Sequence, residues 1–81
     1  EPSDCSKTLT FTQNLDIGST GDQVIALQQL LKCLGYFPQD VEATGYYGSV
    51  TEAAVIEFQL ANNIDPVGSV GSLTREVLNQ Y

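Results

Sequence analysis

The chain has 81 residues, and its three Lys or Arg against ten Asp or Glu give a net charge of −7. Because nucleic acid and anionic membranes bind through clustered Lys and Arg, this balance argues against both as partners. The length predicts one small domain, and no apolar run approaches the roughly 20 residues that would span a bilayer.

A polar arm is predicted over residues 1–14, which are rich in Ser and Thr. Leu9 and Phe11 are its apolar anchors, and a short extended piece is expected at residues 8–12. After the arm the sequence changes to helix-like apolar spacing, so residues 15–81 are predicted to form the folded domain.

The first predicted helix lies within residues 15–37. Thr20 and Gln23 have the spacing of a capping box at its start, and Gly35 stands where a left-handed residue would end it. Apolar residues recur at steps of three and four, which is typical of one face of an amphipathic helix. This face comprises Val24, Leu27, Leu31 and Leu34.

The second predicted helix covers about residues 50–62, and its exit is marked by Asn63 and Pro66. Ser49 and Glu52 match the S-x-x-E capping box at its start. The residues expected to face the core are Ala54, Val55, Phe58 and Ala61.

The third predicted helix runs from about Leu73 to the C-terminus. Its inward-facing residues are expected to be Leu73, Val77, Leu78 and Tyr81. With the two helices before it, this segment predicts an all-α domain of three helices.

One local pattern occurs three times, as GSTGDQVI at 18–25, GSVTEAAV at 48–55 and GSLTREVL at 71–78. Gly permits a turn, Ser can cap the free N–H groups of a helix, and the apolar pair reaches the core one turn later. Recurrence of this unit predicts helices joined by loops that glycines shape.

The two cysteines, Cys5 and Cys33, belong to no metal-binding pattern. Zinc takes four ligands, and a catalytic cysteine needs a base. The chain has no histidine that could serve as a zinc ligand or as that base. Cys5 lies in the arm and Cys33 near the end of the first predicted helix, so a disulfide would pin the arm to that helix. The alternative is two reduced thiols. A disulfide would indicate an oxidising compartment.

Three ordered runs carry a resemblance to a known family: IGSTGDQVIALQQLLKCLGYF, TGYYGSVTEAAVIEFQLANNI and PVGSVGSLTREVL. They resemble the peptidoglycan-binding-like family of small three-helix cell-wall modules, whose pattern includes a Leu-Gln pair, a Thr-Gly-x-Tyr-Gly loop and a Phe-Gln pair. The match covers about residues 15–79. The cysteine-bearing arm departs from the pattern, and so does Asn62-Asn63-Ile64, where a Gly-Ile pair is common.

This resemblance implies an all-α three-helix bundle with glycine-rich loops and an N-terminal arm. It also implies a non-catalytic module that holds a secreted protein, such as a hydrolase, on bacterial peptidoglycan. The alternative is a protein-interaction or structural module on the same fold without peptidoglycan affinity, since a fold does not fix its ligand. The expected protein is a monomer located outside the cell, in the periplasm or at the cell wall.

Loop aromatic and amide side chains are the candidate ligand contacts, because aromatic faces suit sugar rings and peptide stems. Tyr47, which matches the family pattern, is expected to be buried, and Tyr46 to be exposed. Gln28 and Gln59 are expected either to tie loop backbone together as buried amides or to contact a peptide stem. The full candidate set is Tyr36, Phe37, Tyr46, Tyr47, Gln28, Gln59 and Asn62.

No pattern of catalytic residues is present. The chain lacks histidine and has no G-x-S-x-G elbow, phosphate loop or calcium loop. Carboxylate pairs exist, but a glycosidase needs two of them opposed across a cleft. Glu52 is better interpreted as a helix cap and Glu57 as an exposed helix residue. The sequence therefore predicts no catalysis, no metal and no cofactor.

Overall fold

The computed structural model describes residues 5–81, and the first four residues of the predicted arm lie outside that range. The described chain forms three helices, α1 (Asp22–Leu34), α2 (Ser49–Ala61) and α3 (Ser72–Leu78). Two isolated antiparallel bridges join the segments between them, Leu15 with Val70 and Thr20 with Tyr46. The predicted all-α, three-helix fold is confirmed. Within the described range no helix is long and apolar enough to cross a membrane.

Each helix begins directly after a glycine, and none of the three starts carries a side-chain cap. The predicted capping boxes are therefore wrong. Ser49 is already the first residue of α2, so its hydroxyl stands one position too late to act as the N-cap. A glycine N-cap is less favourable than serine by only a few tenths of a kcal/mol. The predicted end of α1 is confirmed, since Gly35 is left-handed with φ 92°.

The core lies between α1 and α2 and is closed by residues from the loops and the arm. Leu78 is buried as predicted, whereas Leu73 is 64% exposed and Ala61 is also exposed, so both of these burial predictions are wrong. The reason in α3 is its register: Thr74 and Leu78, one turn apart, point into the core instead. The fully buried apolar side chains include Phe11, Val24, Leu27, Leu31, Tyr47, Val55, Phe58, Val70 and Leu78.

The described part of the arm is attached near the end of α1 and near the end of α3. The predicted disulfide between Cys5 and Cys33 is present and joins the arm to α1 across 28 residues of sequence. Phe11 is 1% exposed, and its backbone exchanges two hydrogen bonds with the Asn79 side chain, at 2.8 and 3.0 Å. The expected extended piece is absent, because residues 8–12 form bends and irregular chain rather than a strand.

Candidate functional site

A single buried glutamine holds the loop between α1 and α2 in place. The Gln28 carbonyl accepts a hydrogen bond from the Gly45 N–H at 2.9 Å. Its amide nitrogen donates to the Tyr46 carbonyl and to the Thr51 hydroxyl, each at 2.9 Å. One side chain therefore fixes the end of the loop to the first turn of α2. Of the two roles expected for Gln28, the structure shows the buried amide that ties loop backbone together.

Gln59 makes the same three bonds one repeat later. Its carbonyl accepts from the Gly68 N–H at 3.0 Å, and its amide donates to the Ser69 carbonyl at 2.8 Å and the Thr74 hydroxyl at 3.1 Å. Gln59 too has the first of its two expected roles, that of a buried amide. Because every polar atom of this amide is engaged, the glutamine rigidifies the loop that it holds.

The backbone held by these glutamines has the same shape in both repeats. We call residues 45–51 the first turn and residues 68–74 the second turn. Gly45 and Gly68, which open them, are left-handed at φ 88° and 84°, a conformation that glycine adopts without strain. The helix starts match too, with φ −108° and −103° at the two N-cap glycines. The chain therefore contains two copies of one rigid loop-to-helix unit.

Tyr47 joins the two turns and is fully buried, as predicted. Its hydroxyl donates a hydrogen bond to the Gly68 carbonyl. Its backbone pairs with residues before α1, accepting from the Gly18 N–H and donating to the Ser19 carbonyl, both at 2.9 Å. Burial raises the pKa of the Tyr47 phenol above its usual value, and the nearby carboxylates of Glu52 and Asp16 raise it further. Tyr47 has no exposed surface and is part of the core.

The raised pKa of Tyr47 predicts a loss of stability in alkaline solution. Below about pH 10 the phenol is neutral in both the folded and the unfolded chain, so the folded state keeps its full advantage. Above that pH only the unfolded tyrosine ionises, and the free energy of unfolding should fall by about 1.4 kcal/mol per pH unit. Urea titrations between pH 8 and 11.5 measure this slope. Tyr47→Phe should be less stable at pH 8 and lack this contribution, and an equal slope in both proteins would contradict the assignment.

An open cavity of about 340 Å³, which we call the first cavity, lies beside the first turn. Tyr46 stands at its wall with 54% of its surface exposed, and Val50 of α2 is 41% exposed. The Tyr46 ring lies against Gly48, where a Cβ atom would approach its Cε2 atom to 3.3 Å. The residues lining the first cavity are Gln28, Phe37, Val41, Glu42, Thr44, Tyr46, Gly48, Ser49, Val50 and Thr51.

The structure brings three of the seven candidate residues to this cavity. Tyr46 is exposed as predicted. Phe37 and Gln28 also line the first cavity, and both side chains are almost fully buried. Tyr36 instead packs edge-on against Phe58, with ring centroids 5.9 Å apart. It lines a neighbouring hollow of about 310 Å³ that shares Ser49 and Val50 with the first cavity.

The other three candidates lie elsewhere. Tyr47 is inside the core, and Gln59 supports the second turn. The Asn62 amide donates to the Phe58 carbonyl of its own helix at 2.8 Å. Sequence reasoning did not place Val41, Glu42 and Val50 at the site. The only available indication was that Val50 falls outside the apolar stripe of α2, which predicts an exposed aliphatic side chain.

The first cavity is lined both by a negatively charged carboxylate and by the positive end of a helix. Glu42 is its single carboxylate among the lining residues. The start of α2 has no side-chain cap, so its first N–H groups are free to bind a negatively charged group. Among residues 5–81 there is no group of three or more His, Cys, Asp or Glu placed to hold a metal ion. The arrangement is therefore suited to binding a ligand with apolar, anionic and cationic groups.

Comparison with known proteins gives a consistent result. Residues 20–78 match the family model described as a putative peptidoglycan binding domain. An uncharacterized protein in the bpoA1 3' region of Kitasatospora aureofaciens is 41% identical over 71 residues, which cover 86% of this chain. This chain spans 58% of the length of that relative.

Solved structures show the same fold. The N-terminal domain of SleB superposes with a TM-score of 0.81 at 28% identity, covering 89% of this chain and 96% of that domain. A fused Zn-dependent amidase/peptidase/peptidoglycan-binding protein from Clostridium acetobutylicum gives a TM-score of 0.71 at 35% identity, over 84% of this chain and 29% of that one. An L,D-transpeptidase from Xylanimonas cellulosilytica gives 0.72 at 39% identity, over 99% and 35%.

Proposed function

The chain belongs to the family of putative peptidoglycan binding domains, and we propose that it binds peptidoglycan through the first cavity without catalysing a reaction there. The observation that carries this proposal is the setting of Tyr46. More than half of its surface is exposed, although the loop that holds it is fixed by the buried Gln28 amide. A preorganised aromatic side chain loses little conformational entropy when a ligand packs on it.

The charges at the cavity favour the peptide stem over the glycan as the bound part. Stem peptides carry carboxylates and a free amino group, whereas the sugar rings offer mainly hydroxyls. Glu42 can pair with an ammonium group, and the uncapped start of α2 can receive a carboxylate. Tyr46 and Val50 then cover the aliphatic parts of the peptide. The net charge of −7 adds a general attraction for cationic groups.

Several features favour a binding role without catalysis. The first cavity contains one carboxylate, whereas glycoside hydrolysis uses a pair of carboxyl groups across the scissile bond. Two of the similar structures are proteins in which this fold covers only 29% and 35% of the chain. We therefore propose that the domain tethers a catalytic partner domain, such as a hydrolase, to the wall as a monomer. The Cys5–Cys33 disulfide supports an extracellular, periplasmic or wall-associated location.

Replacing Tyr46 by alanine tests the proposal. We expect Tyr46→Ala to weaken binding to insoluble peptidoglycan about tenfold, which corresponds to about 1.4 kcal/mol, because the ligand loses its aromatic contact. The helical circular dichroism spectrum should be unchanged, since the side chain is largely exposed. Sedimentation with graded amounts of peptidoglycan measures the affinity. Leu60→Ala is the matched control, because Leu60 is 59% exposed and lines none of the described cavities.

A folded protein that stays in the supernatant at every peptidoglycan concentration would overturn the proposal. That result would favour the alternative, a protein-interaction module on the same fold. Binding that is equally weakened by Tyr46→Ala and Leu60→Ala would show that the first cavity is not the site.

A further inference from the structure

We infer that the surface beside the second turn is a second peptidoglycan site, so that one domain engages two stem peptides of the same polymer. This inference rests on the proposed function, since the occupant of the second site is identified by its likeness to the first. The second site is a cavity of about 200 Å³, which we call the second cavity. It is formed by the loop after α2 and the start of α3.

The two cavities are built from equivalent residues. Positions 41, 42, 44, 46 and 48–51 of the first cavity correspond, at a constant offset, to 64, 65, 67, 69 and 71–74 of the second. Gln28 corresponds to Gln59 through the three hydrogen bonds that each makes. Every residue that lines the second cavity therefore has a counterpart in the first. Phe37 is the one lining residue of the first cavity with no counterpart.

The carboxylate and the serine hydroxyl of the first cavity are retained at these positions. Asp65 stands where the first cavity has Glu42, so each cavity has one carboxylate available to an ammonium group. Ser72 repeats the hydroxyl of Ser49. The same charge and the same hydrogen-bonding group therefore face the solvent in both cavities. This equivalence is the reason for assigning a second stem peptide, rather than an unrelated protein, as the occupant.

The apolar contact is aliphatic in the second cavity. Ser69 takes the position of Tyr46, so no aromatic ring is available. Instead Val67 and Leu73 are 65% and 64% exposed, the highest values among the large apolar side chains described, and both line this cavity. Leu73 occupies the position of Val50. The exposure of Leu73 is thus explained by a binding role, in place of the core role predicted for it.

Two sites of modest strength suit a polymeric ligand. Once one stem peptide is bound, a neighbouring stem is held at a high effective concentration near the other cavity, so the polymer binds more tightly than a fragment. The buried Tyr47 hydroxyl bonds across from the first turn to the Gly68 carbonyl of the second. This link keeps the two cavities at a fixed separation, which avoids an entropic cost on the second binding step.

The test is a titration of the uniformly ¹⁵N-labelled protein with a soluble muropeptide that carries one stem peptide. We expect amide shifts in two groups, residues 45–51 and residues 68–74, and a stoichiometry of two ligands per chain. Tyr46→Ala should move only the first group of shifts to about tenfold higher ligand concentration. Leu73→Asp should abolish only the second, and it should weaken binding to the insoluble polymer about tenfold through lost avidity. Leu60→Asp is the matched control and should change neither.

Val67→Asp gives a second, independent disruption of the same cavity and should behave as Leu73→Asp does. Shifts confined to residues 45–51, with one ligand per chain, would overturn the second site and leave the proposed function standing. An absence of shifts in both groups, together with no binding to the polymer, would overturn both.

Discussion

Gln28→Leu is expected to lower the free energy of unfolding by about 3–5 kcal/mol. The substitution keeps a side chain of similar size, so little of the loss comes from a cavity. It leaves the Gly45 N–H, the Tyr46 carbonyl and the Thr51 hydroxyl without their partner. Each buried polar group left unpaired costs about 1–3 kcal/mol. Such a loss is a large share of the 5–15 kcal/mol typical of a whole domain.

Urea unfolding followed by circular dichroism at low temperature measures this loss. Gln29→Leu is the matched control, since Gln29 is the next residue of α1 and is exposed. Its effect should stay within about 0.5 kcal/mol. Gln59→Leu should resemble Gln28→Leu, because it removes the same set of bonds from the second turn. A loss below about 1 kcal/mol for both glutamine variants would show that the turns hold their shape without the amides.

The buried glutamines are among the features that could be predicted from the sequence. The three helices could be predicted from the spacing of apolar residues. The contrast between a buried Tyr47 and an exposed Tyr46 could be predicted from the family pattern. The two tyrosines lie in a loop and were distinguished by that pattern alone, whereas the three-to-four spacing encodes directly which helix residues face the core. The amide roles of Gln28 and Gln59 were predictable for the same reason, since a polar side chain on the core face must find partners.

Helix starts were predicted less well, for a physical reason. The S-x-x-E pattern at Ser49 depends on four residues alone, whereas the chain on either side of the observed N-cap, Gly48, is also held by the Gln28 amide, which is distant in sequence. In α3 the residues that face the core are Thr74 and Leu78, which lie one turn apart. Leu73 lies about 100° around the axis from Thr74 and is exposed. Choosing the neighbouring position as the inward one was enough to hide an apolar surface residue.

The first cavity could not be predicted as a whole, because six of its ten lining residues come from the loop between α1 and α2. Val41 and Glu42 have no periodic neighbours, and their positions depend on how that loop folds back over Phe37. The internal repeat did predict that the turns before α2 and α3 would be alike. It did not indicate that the resemblance extends to Glu42 and Asp65, which lie upstream of the repeated GSVT and GSLT segments.

Removing the Cys5–Cys33 disulfide is expected to lower the free energy of unfolding by about 3–4 kcal/mol, because the bridge restricts a loop of 28 residues in the unfolded chain. For a domain of this size the loss corresponds to a fall in melting temperature of roughly 15–30 °C. The double variant Cys5→Ser, Cys33→Ser provides the measurement, with thermal unfolding of the wild type under reducing conditions as a second route. Both should give the same value.

Peptidoglycan binding should survive this change at temperatures where the double variant is folded. The bridge lies at Cys33 near the end of α1, and neither cysteine lines the first cavity. The rest of the arm keeps its own anchors, since Phe11 is buried and bonded to Asn79.

Lys7→Ala is the matched control for the stability measurement. It removes the arm's hydrogen bonds to the carbonyls of Asn79 and Tyr81. Because Lys7 is only partly buried, the substitution should lower the free energy of unfolding by about 1 kcal/mol or less. If the disulfide variant lost no more stability than Lys7→Ala, the anchors at Phe11 and Asn79 would be sufficient to hold the arm. Two reactive thiols in the denatured wild type would remove the main argument for an oxidising compartment.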